Sequence, residues 1–227
     1  MDNEVVTVVV AWLAQPFVEG LVNSKGAGEW LHARLTPYIT PYFEIIGRRA
    51  QQMLKDVGND AATIVPKRLM PILEGASLED DPELQERWAA MLANEALASA
   101  QPRHNYAALL REVTAIDARV LDAIAGESPR ITVLSVFAAN SRITWSSRST
   151  ILGKILKGPT TLGSWHIDAS LDNLTRLGLI HVTTEMHDPS GGTNPKDVIP
   201  IEFLSLTTLG LQFIEAIRPP RNKPTVE

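Results

Sequence analysis

Apolar residues recur at steps of three and four through the first half of the chain. Between residues 43 and 65 they form a single stripe: Phe43, Ile46, Ala50, Met53, Leu54, Val57, Ala61 and Ile64. A stripe with this period predicts an amphipathic helix of about five to six turns. Pro66 is expected to end or kink that helix, because proline lacks the amide hydrogen of the helical ladder. A short helix that stops near Gly75 is predicted next.

The clearest helix start in the sequence is Asp81-Pro82-Glu83. It combines an N-cap acid, a proline at the first helical position and an acid in the first turn. The buried face of this helix is predicted to contain Leu84, Trp88, Met91, Leu92, Ala96 and Ser99. The polar face is predicted to begin with Glu83, Gln85, Glu86 and Arg87, and Pro102 is expected to close the helix.

Two shorter helices complete the predicted N-terminal part. Tyr106 begins the first of them. Thr114-x-x-Asp117 resembles a capping box, with Asp where Glu or Gln is usual, and it would start a helix that ends at Gly126. Short helices joined by short loops are typical of a helical bundle.

The pattern changes after Ser128-Pro129, where Ser, Thr, Gly and β-branched residues become frequent. A helix over 164–177 with Gly178 as its C-cap, strands over 179–184 and 198–206, and a final helix capped by Thr207 predict a winged-helix unit. The predicted fold class is therefore mainly α. It has a helical domain over residues 1–126, a winged-helix-like domain with a small β-hairpin over 127–218, and a flexible tail over 219–227.

Composition narrows the possible chemistry. The 227 residues contain no cysteine, which excludes disulfide frameworks, thiolate metal sites and cysteine nucleophiles. A net charge of −5 disfavours a protein whose main work is to coat nucleic acid or anionic lipid. The charge is unevenly distributed, since residues 1–126 carry a net −6 and residues 127–227 a net +1.

The start of the chain shows neither a membrane span nor a signal peptide. The longest apolar stretch, Val5 to Ala14, is about half of the roughly 20 residues that a transmembrane helix needs. The chain opens on Met1-Asp2-Asn3-Glu4, without the basic start of a signal peptide. We therefore expect a cytoplasmic protein with a buried N-terminal element, or else a segment that docks on a membrane surface or a partner.

Known catalytic and cofactor motifs are incomplete in this sequence. Glu29-x-x-His32 has metal-ligand spacing but lacks the second such pair of a di-iron bundle. Gly158 and Gly163 have the glycine spacing of a phosphate loop without its lysine. Glu79, Asp80 and Asp81 are explained by the helix start that they precede. No catalytic residue, metal ligand or cofactor is predicted, although an enzyme of unrecognised type stays open if a cleft gathers distant acids and histidines.

One region carries a family resemblance. The stretch from Pro71 to Asp81, followed by Leu84-Gln85 and Trp88 to Asn94, resembles the Abi-alpha (abortive infection alpha) family. The similarity extends over about residues 40–217 and includes Leu174-x-x-Leu177-Gly178-Leu179-Ile180 and Leu206-Thr207-x-Leu209-Gly210. The resemblance implies a bacterial cytoplasmic protein associated with phage defence, and it implies no known catalytic residues.

Two functions remain open from the sequence. The first is a non-enzymatic interaction or sensor protein that recognises a phage or host protein, or assembles with itself. The second is a winged-helix DNA-binding regulator that uses the segment 130–165, which has five basic residues and no acid. Its candidate contacts are Arg142, Arg148, Lys154 and Lys157. Against this second function, the presumed recognition helix is expected to expose Asp168, Asp172 and Asn173, and acids repel phosphates.

Overall fold

The structure, a computed structural model, describes residues 41–58, 64, 66–97, 106–126, 131–133, 164–187 and 199–221. These residues divide into two compact units. One contains the described residues up to 112 together with 216–221, and the other contains those from 113 to 215. Each unit is described by itself below.

The first unit is a cluster of helices. Its helices are α1 (Pro41–Asp56), α2 (Pro66–Ala76), α3 (Pro82–Leu97) and α4 (Tyr106–Leu110). Helix α1 packs on α3 and α2, and α2 also packs on α3 and α4. The core between them is formed largely by aliphatic side chains around Phe43 and Trp88, both of which are fully buried.

Helix α1 is shorter than the stripe predicted. The prediction carried it to residue 65, but it ends at Asp56. Gly58 adopts a left-handed backbone conformation with φ of 66° and donates its amide hydrogen to Lys55 O at 3.0 Å. A glycine in this conformation is a common helix stop, because it avoids the steric penalty of a Cβ. Pro66 then opens α2 at the first helical position rather than ending α1.

Helix α3 begins as predicted but buries more of its surface. Asp81 Oδ1 accepts the amide hydrogens of Glu83 at 2.8 Å and Leu84 at 3.2 Å, which confirms the N-cap. Gln85 was expected on the polar face and is instead buried, where its Nε2 donates to Glu79 O at 3.0 Å. Glu95 is buried as well, and its Oε2 lies 3.0 Å from Nη1 of Arg68 on α2. Both α1 and α2 pack on α3, and residues on more than one of its faces are buried. A prediction from a single apolar stripe therefore underestimates how much of α3 is buried.

The second unit combines helices with a small antiparallel sheet. Its elements are α5 (Ala115–Gly126), β1 (Ile131–Val133), α6 (Ser164–Arg176), β2 (Ile180–His187), β3 (Ile199–Leu206) and most of α7 (Thr208–Ile217). The strand order is β1-β3-β2, with β3 in the centre. Helix α5 packs on α6 and β3, and α6 also packs on β2. Buried Ile180 and Leu204 line the helix-covered face of the sheet.

The turn after α6 and the start of α7 are bonded to each other. Gly178 has a φ of 69°, and Leu179 donates its amide hydrogen to Leu174 O at 3.0 Å, so the predicted C-cap is confirmed. Thr207 Oγ1 accepts the amide hydrogen of Gly210 at 2.9 Å and donates to Gly178 O at 2.6 Å. The predicted cap of α7 therefore also ties that helix to the turn after α6.

The mainly α-helical fold class is confirmed, with a small sheet in the second unit. The division between the units falls after Glu112, so α5 packs with the elements that follow it. The domain boundary after residue 126 stays a prediction. The winged-helix assignment also stays a prediction, because residues 134–163 and 188–198 lie outside the described residues, as do most residues of the predicted tail.

Candidate interaction surface

The four predicted contact residues lie outside the described part of the chain. Arg142, Arg148, Lys154 and Lys157 all fall within residues 134–163. The described chain resumes at Ser164, the first residue of α6. The site is therefore built from α6 itself, which directly follows the basic segment.

Helix α6 has a buried face and an exposed face. Ile167, Leu171 and Leu174 are buried, as the spacing of the sequence predicted. The opposite side has exposed residues at successive helical turns, and we call this the α6 surface: Trp165, Ala169, Asp172 and Arg176. Trp165 is 66% exposed, although tryptophan usually buries most of its ring. The exposed tryptophan makes this face the leading candidate for contact with a partner.

The Trp165 ring is held by its neighbour in the sequence. The rings of Trp165 and His166 stack, with centroids 3.4 Å apart and an angle of 28° between their planes. His166 is half-buried, whereas the tryptophan projects into solvent. One side of the indole is thus supported by the protein. An aromatic ring held in this way can stack on a planar group or pack on an apolar side chain at a low cost in conformational entropy.

Asn173 is not exposed in the way that the sequence predicted. Its side chain is half-buried, and Nδ2 donates to Asp117 Oδ2 on α5 at 2.9 Å. Its Oδ1 accepts hydrogen bonds from Arg176 Nε at 3.2 Å and Nη2 at 2.8 Å. Asp168 is half-buried too, and of the three polar residues only Asp172 is exposed. Asn173 therefore links α6 to α5 and orients Arg176 on the α6 surface.

The carboxylate that receives Asn173 belongs to the predicted capping box. Asp117 Oδ2 accepts the amide hydrogen of Thr114 at 2.8 Å, and Thr114 Oγ1 accepts the amide hydrogen of Asp117 at 3.2 Å. Both reciprocal bonds of the box are present. Asp117 is 1% exposed, so it is a buried anchor that holds α6 against the start of α5.

A second exposed apolar residue lies in the first unit, on the loop between α2 and α3. Leu78 is 75% exposed, while the residues around it are internally bonded. Glu79 Oε2 accepts the indole hydrogen of Trp88 at 3.2 Å, and its Oε1 accepts the amide hydrogen of Asp81 at 3.1 Å. Glu79 and Asp81 therefore make structural bonds at the helix start, which is where the sequence interpretation placed them.

Two polar side chains, those of Asn94 and Glu79, make hydrogen bonds whose partners could not be identified from the sequence. Asn94 Nδ2 donates to Ala216 O at 3.0 Å and to Arg218 O at 2.7 Å, at the end of α7. The Glu79 to Trp88 bond was missed in the same way. Neither residue has a sequence signal that identifies its partner, since amide and carboxylate side chains are most often exposed.

The residues of the incomplete motifs are mostly outside the described chain. Glu29, His32, Gly158 and Gly163 all lie there. Across the ranges that are described, no three histidine, aspartate or glutamate side chains lie close enough together to hold a metal ion. Within those same ranges, no helix combines the length and apolar character that crossing a bilayer requires.

Comparison with known proteins gives one match. A family model described as "Abortive infection alpha" matches residues 44–217, which is well over half of the chain. The matched range contains α2, α3, α5, α6 and both strands of the hairpin. No curated protein and no solved structure shows significant similarity to the chain.

Proposed function

The chain belongs to the abortive infection alpha family, and from this premise we propose that it is a non-enzymatic recognition protein of phage defence that works in the cytoplasm. Its partner would be a protein from the phage or the host, or a second copy of the chain. Family membership supports the association with abortive infection. The mode of action is our inference from the described residues.

The exposed Trp165 carries this proposal. It stands at 66% exposure on a helix whose buried face and C-terminus are both anchored within the second unit. Large aromatic residues that remain exposed on rigid elements are enriched where proteins contact partners. A surface of this kind suits recognition, because the helix does not have to become ordered when a partner binds.

Several polar side chains of the described residues form internal hydrogen bonds that stabilise the fold, which agrees with a recognition role. Asp117, Asn173, Glu79 and Asn94 all make specific internal hydrogen bonds. A carboxylate that accepts backbone or indole hydrogens is committed to structure and is poorly placed to exchange protons with a substrate. These residues thus support the fold that presents the α6 surface.

A plaque assay tests the proposal. Deletion of the gene should raise the number of plaques formed by at least one phage on the natural host, and the unaltered chain supplied in trans should lower it again. Plaque counts that stay the same across a broad phage panel would contradict the defence role. If a variant that lacks the exposed side chains of the α6 surface also restores protection against the phage, recognition through that surface is contradicted.

The second candidate function is DNA binding through the segment 130–165. The observation in favour of DNA binding is that Trp165, the last residue of this basic segment, is exposed. An exposed aromatic ring next to basic residues is the combination that binds single-stranded nucleic acid. The bonds of Asn173 to Asp117 and Arg176 count against readout of duplex DNA by α6, since they occupy a side chain that could otherwise contact adenine.

A gel-shift titration across salt concentrations separates the two functions. Phosphate contacts weaken steeply as salt rises. A salt-sensitive shift that is lost when Arg142, Arg148, Lys154 and Lys157 are all replaced by alanine would support DNA binding. No shift at micromolar protein and low salt would exclude it.

A further inference from the structure

The α6 surface carries an indole near one end and a guanidinium at the other. Trp165 lies in the first turn of α6, and Arg176 is the last residue of the helix. Both side chains are exposed. Eleven positions separate them, which is close to three turns of 3.6 residues, so they lie on the same side of the helix about 16 Å apart. An aromatic ring and a cation therefore lie at opposite ends of one exposed line of residues, too far apart to touch within one chain.

Both groups are held in defined orientations. Nε and Nη2 of Arg176 donate to Asn173 Oδ1 at 3.2 and 2.8 Å, and Asn173 Nδ2 donates to Asp117 at 2.9 Å. Hydrogen bonds from a guanidinium lie in its plane, so these bonds orient the plane and do not use its flat faces. The indole of Trp165 stacks on His166. Because arginine stays charged at physiological pH and stacks well on tryptophan, α6 presents the two halves of a cation–π contact.

The α6 surface is complementary to itself when two copies of the helix run antiparallel. In this arrangement a two-fold axis passes midway between Ala169 and Asp172. Trp165 and Arg176 are equally distant from that axis, so Trp165 of each copy lies opposite Arg176 of the other. Symmetry provides this pair twice. Ala169, the smallest side chain of the α6 surface, lies near the axis and allows the two helices to approach closely.

We propose that α6 packs antiparallel on α6 of a second copy of this chain, with Trp165 of each copy stacked on Arg176 of the other. Tryptophan and arginine are the residues most enriched where proteins contact each other. One face of a three-turn helix buries less area than a standard interface, so the dimer is expected to be weak and reversible. The inference deepens the proposed recognition function, because it names a second copy as the partner of the α6 surface. It rests on that function only for its biological purpose, and the binding tests below use purified protein without phage.

Asp172 is the unfavourable residue of this pairing. The two Asp172 carboxylates lie on either side of the axis and repel each other, an effect that Arg176, four positions further along the same helix, offsets. Asp172→Ala should therefore tighten the dimer. A dimer that is weakened by Asp172→Ala would contradict this position of the axis.

Sedimentation of the purified chain across a range of concentrations tests the dimer. The unmodified protein should associate into a dimer at high micromolar concentration. Trp165→Ala and Arg176→Ala should each raise the dissociation constant tenfold or more, which corresponds to about 1.4 kcal/mol. The control is Leu211→Ala, which removes an exposed apolar side chain from another helix and should change the constant less than twofold. A protein that stays monomeric, or a dimer that all three changes affect equally, would overturn the proposal.

A mixture of two variants tests the contact itself. A dimer of Trp165→Ala with itself has no Trp165 to Arg176 pair, and neither has a dimer of Arg176→Ala with itself. A mixed dimer of the two variants has one of the two pairs, because one copy supplies the arginine and the other the tryptophan. The two variants should therefore bind each other more tightly than either binds itself. Equal affinities in the mixture and in the separate variants would overturn the proposal.

Because the chain contains no cysteine, a single introduced cysteine tests the position of the axis with the tryptophan and the arginine both in place. At a helix separation of about 9 Å, the Cα atoms of the two Ala169 residues would be about 6 Å apart, which suits a disulfide. Ala169→Cys should therefore form a covalent dimer on mild oxidation. The control is Thr175→Cys at another exposed position of α6, where the two cysteines would lie about 14 Å apart along the helices. Equal linking of both variants, or linking of neither, would overturn the proposal.

Defence and dimerisation can fail separately. If the chain stays monomeric while Trp165→Ala still abolishes phage protection, the α6 dimer alone is refuted and the surface binds a phage or host protein instead. If the α6 dimer forms but deletion of the gene leaves plaque counts unchanged, the defence role alone is refuted.

Discussion

The indole Nε1–H of Trp88 donates to Glu79 Oε2 across 3.2 Å, which joins a fully buried ring to the loop that starts α3. The same carboxylate accepts the amide hydrogen of Asp81, the N-cap residue of α3. One acid therefore satisfies a buried donor and fixes the position of a helix cap. The loop is ordered by these bonds even though Leu78 beside it is exposed.

We predict that Glu79→Ala destabilises the protein substantially. The Trp88 indole would lose its acceptor inside the core, and a buried donor without a partner costs about 1–3 kcal/mol. Chemical unfolding in urea measures the loss. The matched control is Asp80→Ala, because Asp80 is the exposed neighbouring acid and surface changes of this kind stay within about 0.5 kcal/mol. Equal effects of the two changes would contradict a special role for the Glu79 carboxylate.

Gly75 on α2 is predicted to tolerate no side chain. A Cβ at Gly75 would overlap Cη2 and Cζ2 of Trp88, and this ring cannot move away because it is buried and bonded to Glu79. Overpacking of this kind costs about 1–3 kcal/mol, so Gly75→Ala should lower the midpoint of thermal unfolding clearly. Gly126→Ala is the control, since a Cβ there meets nothing within 4 Å. A neutral Gly75→Ala variant would show that the contact between α2 and α3 is looser than described.

Local signals in the sequence were sufficient for most of the helix caps, although the end of α1 at Gly58 was not among them. Asp81, Thr114 with Asp117, Gly178 and Thr207 were all assigned correctly, because a cap depends on a few residues of adjacent backbone. The mainly α class followed from the same signals and from apolar periodicity. Helix caps and helical periodicity depend on residues within one or two helical turns of each other. A short window of sequence therefore contains the signals that predict them.

Features that depend on distant partners were not predictable. Gln85 was placed on the polar face because its side chain is polar, and its burial depends on a loop carbonyl at Glu79. Asn173 was expected to be exposed, and its partner Asp117 lies 56 positions earlier. At the candidate site, the exposure of Trp165 depends on how α6 packs, which no local signal in the sequence indicates. The basic residues themselves lie outside the described chain, so their role stays a prediction.

The bond between Asn173 and Asp117 should appear as a coupling energy in unfolding experiments. Asp117→Ala removes both the capping bond and the contact to α6, so it should cost more than Asn173→Ala. In a double-mutant cycle, two contacting residues are expected to couple by about 0.5–3 kcal/mol. Asp172→Ala, the exposed acid on the same helix, should couple weakly with Asp117→Ala. Strict additivity of Asp117→Ala and Asn173→Ala would contradict the bond.

Gly210 allows the first turn of α7 to approach the turn after α6. A Cβ at Gly210 would overlap the carbonyl oxygen of Leu179, which is backbone and already accepts the amide hydrogen of Thr207 at 3.0 Å. We expect Gly210→Ala to destabilise the protein by about 1–3 kcal/mol. The control is Thr208→Ala, an exposed change in the same turn, which should have little effect. Equal stability of the two variants would show that α7 can shift away without cost.

Replacement of the exposed Trp165 is expected to impair phage protection without much effect on the stability of the fold. Because most of its surface already faces solvent, Trp165→Ala should change the free energy of unfolding by less than about 1 kcal/mol. Leu211→Ala, which removes another exposed apolar side chain from a different helix, is the matched control and should be equally mild. In the plaque assay the two should diverge: Trp165→Ala should lose protection, and Leu211→Ala should retain it. Full protection by a stably folded Trp165→Ala variant would rule out the α6 surface as the site of recognition.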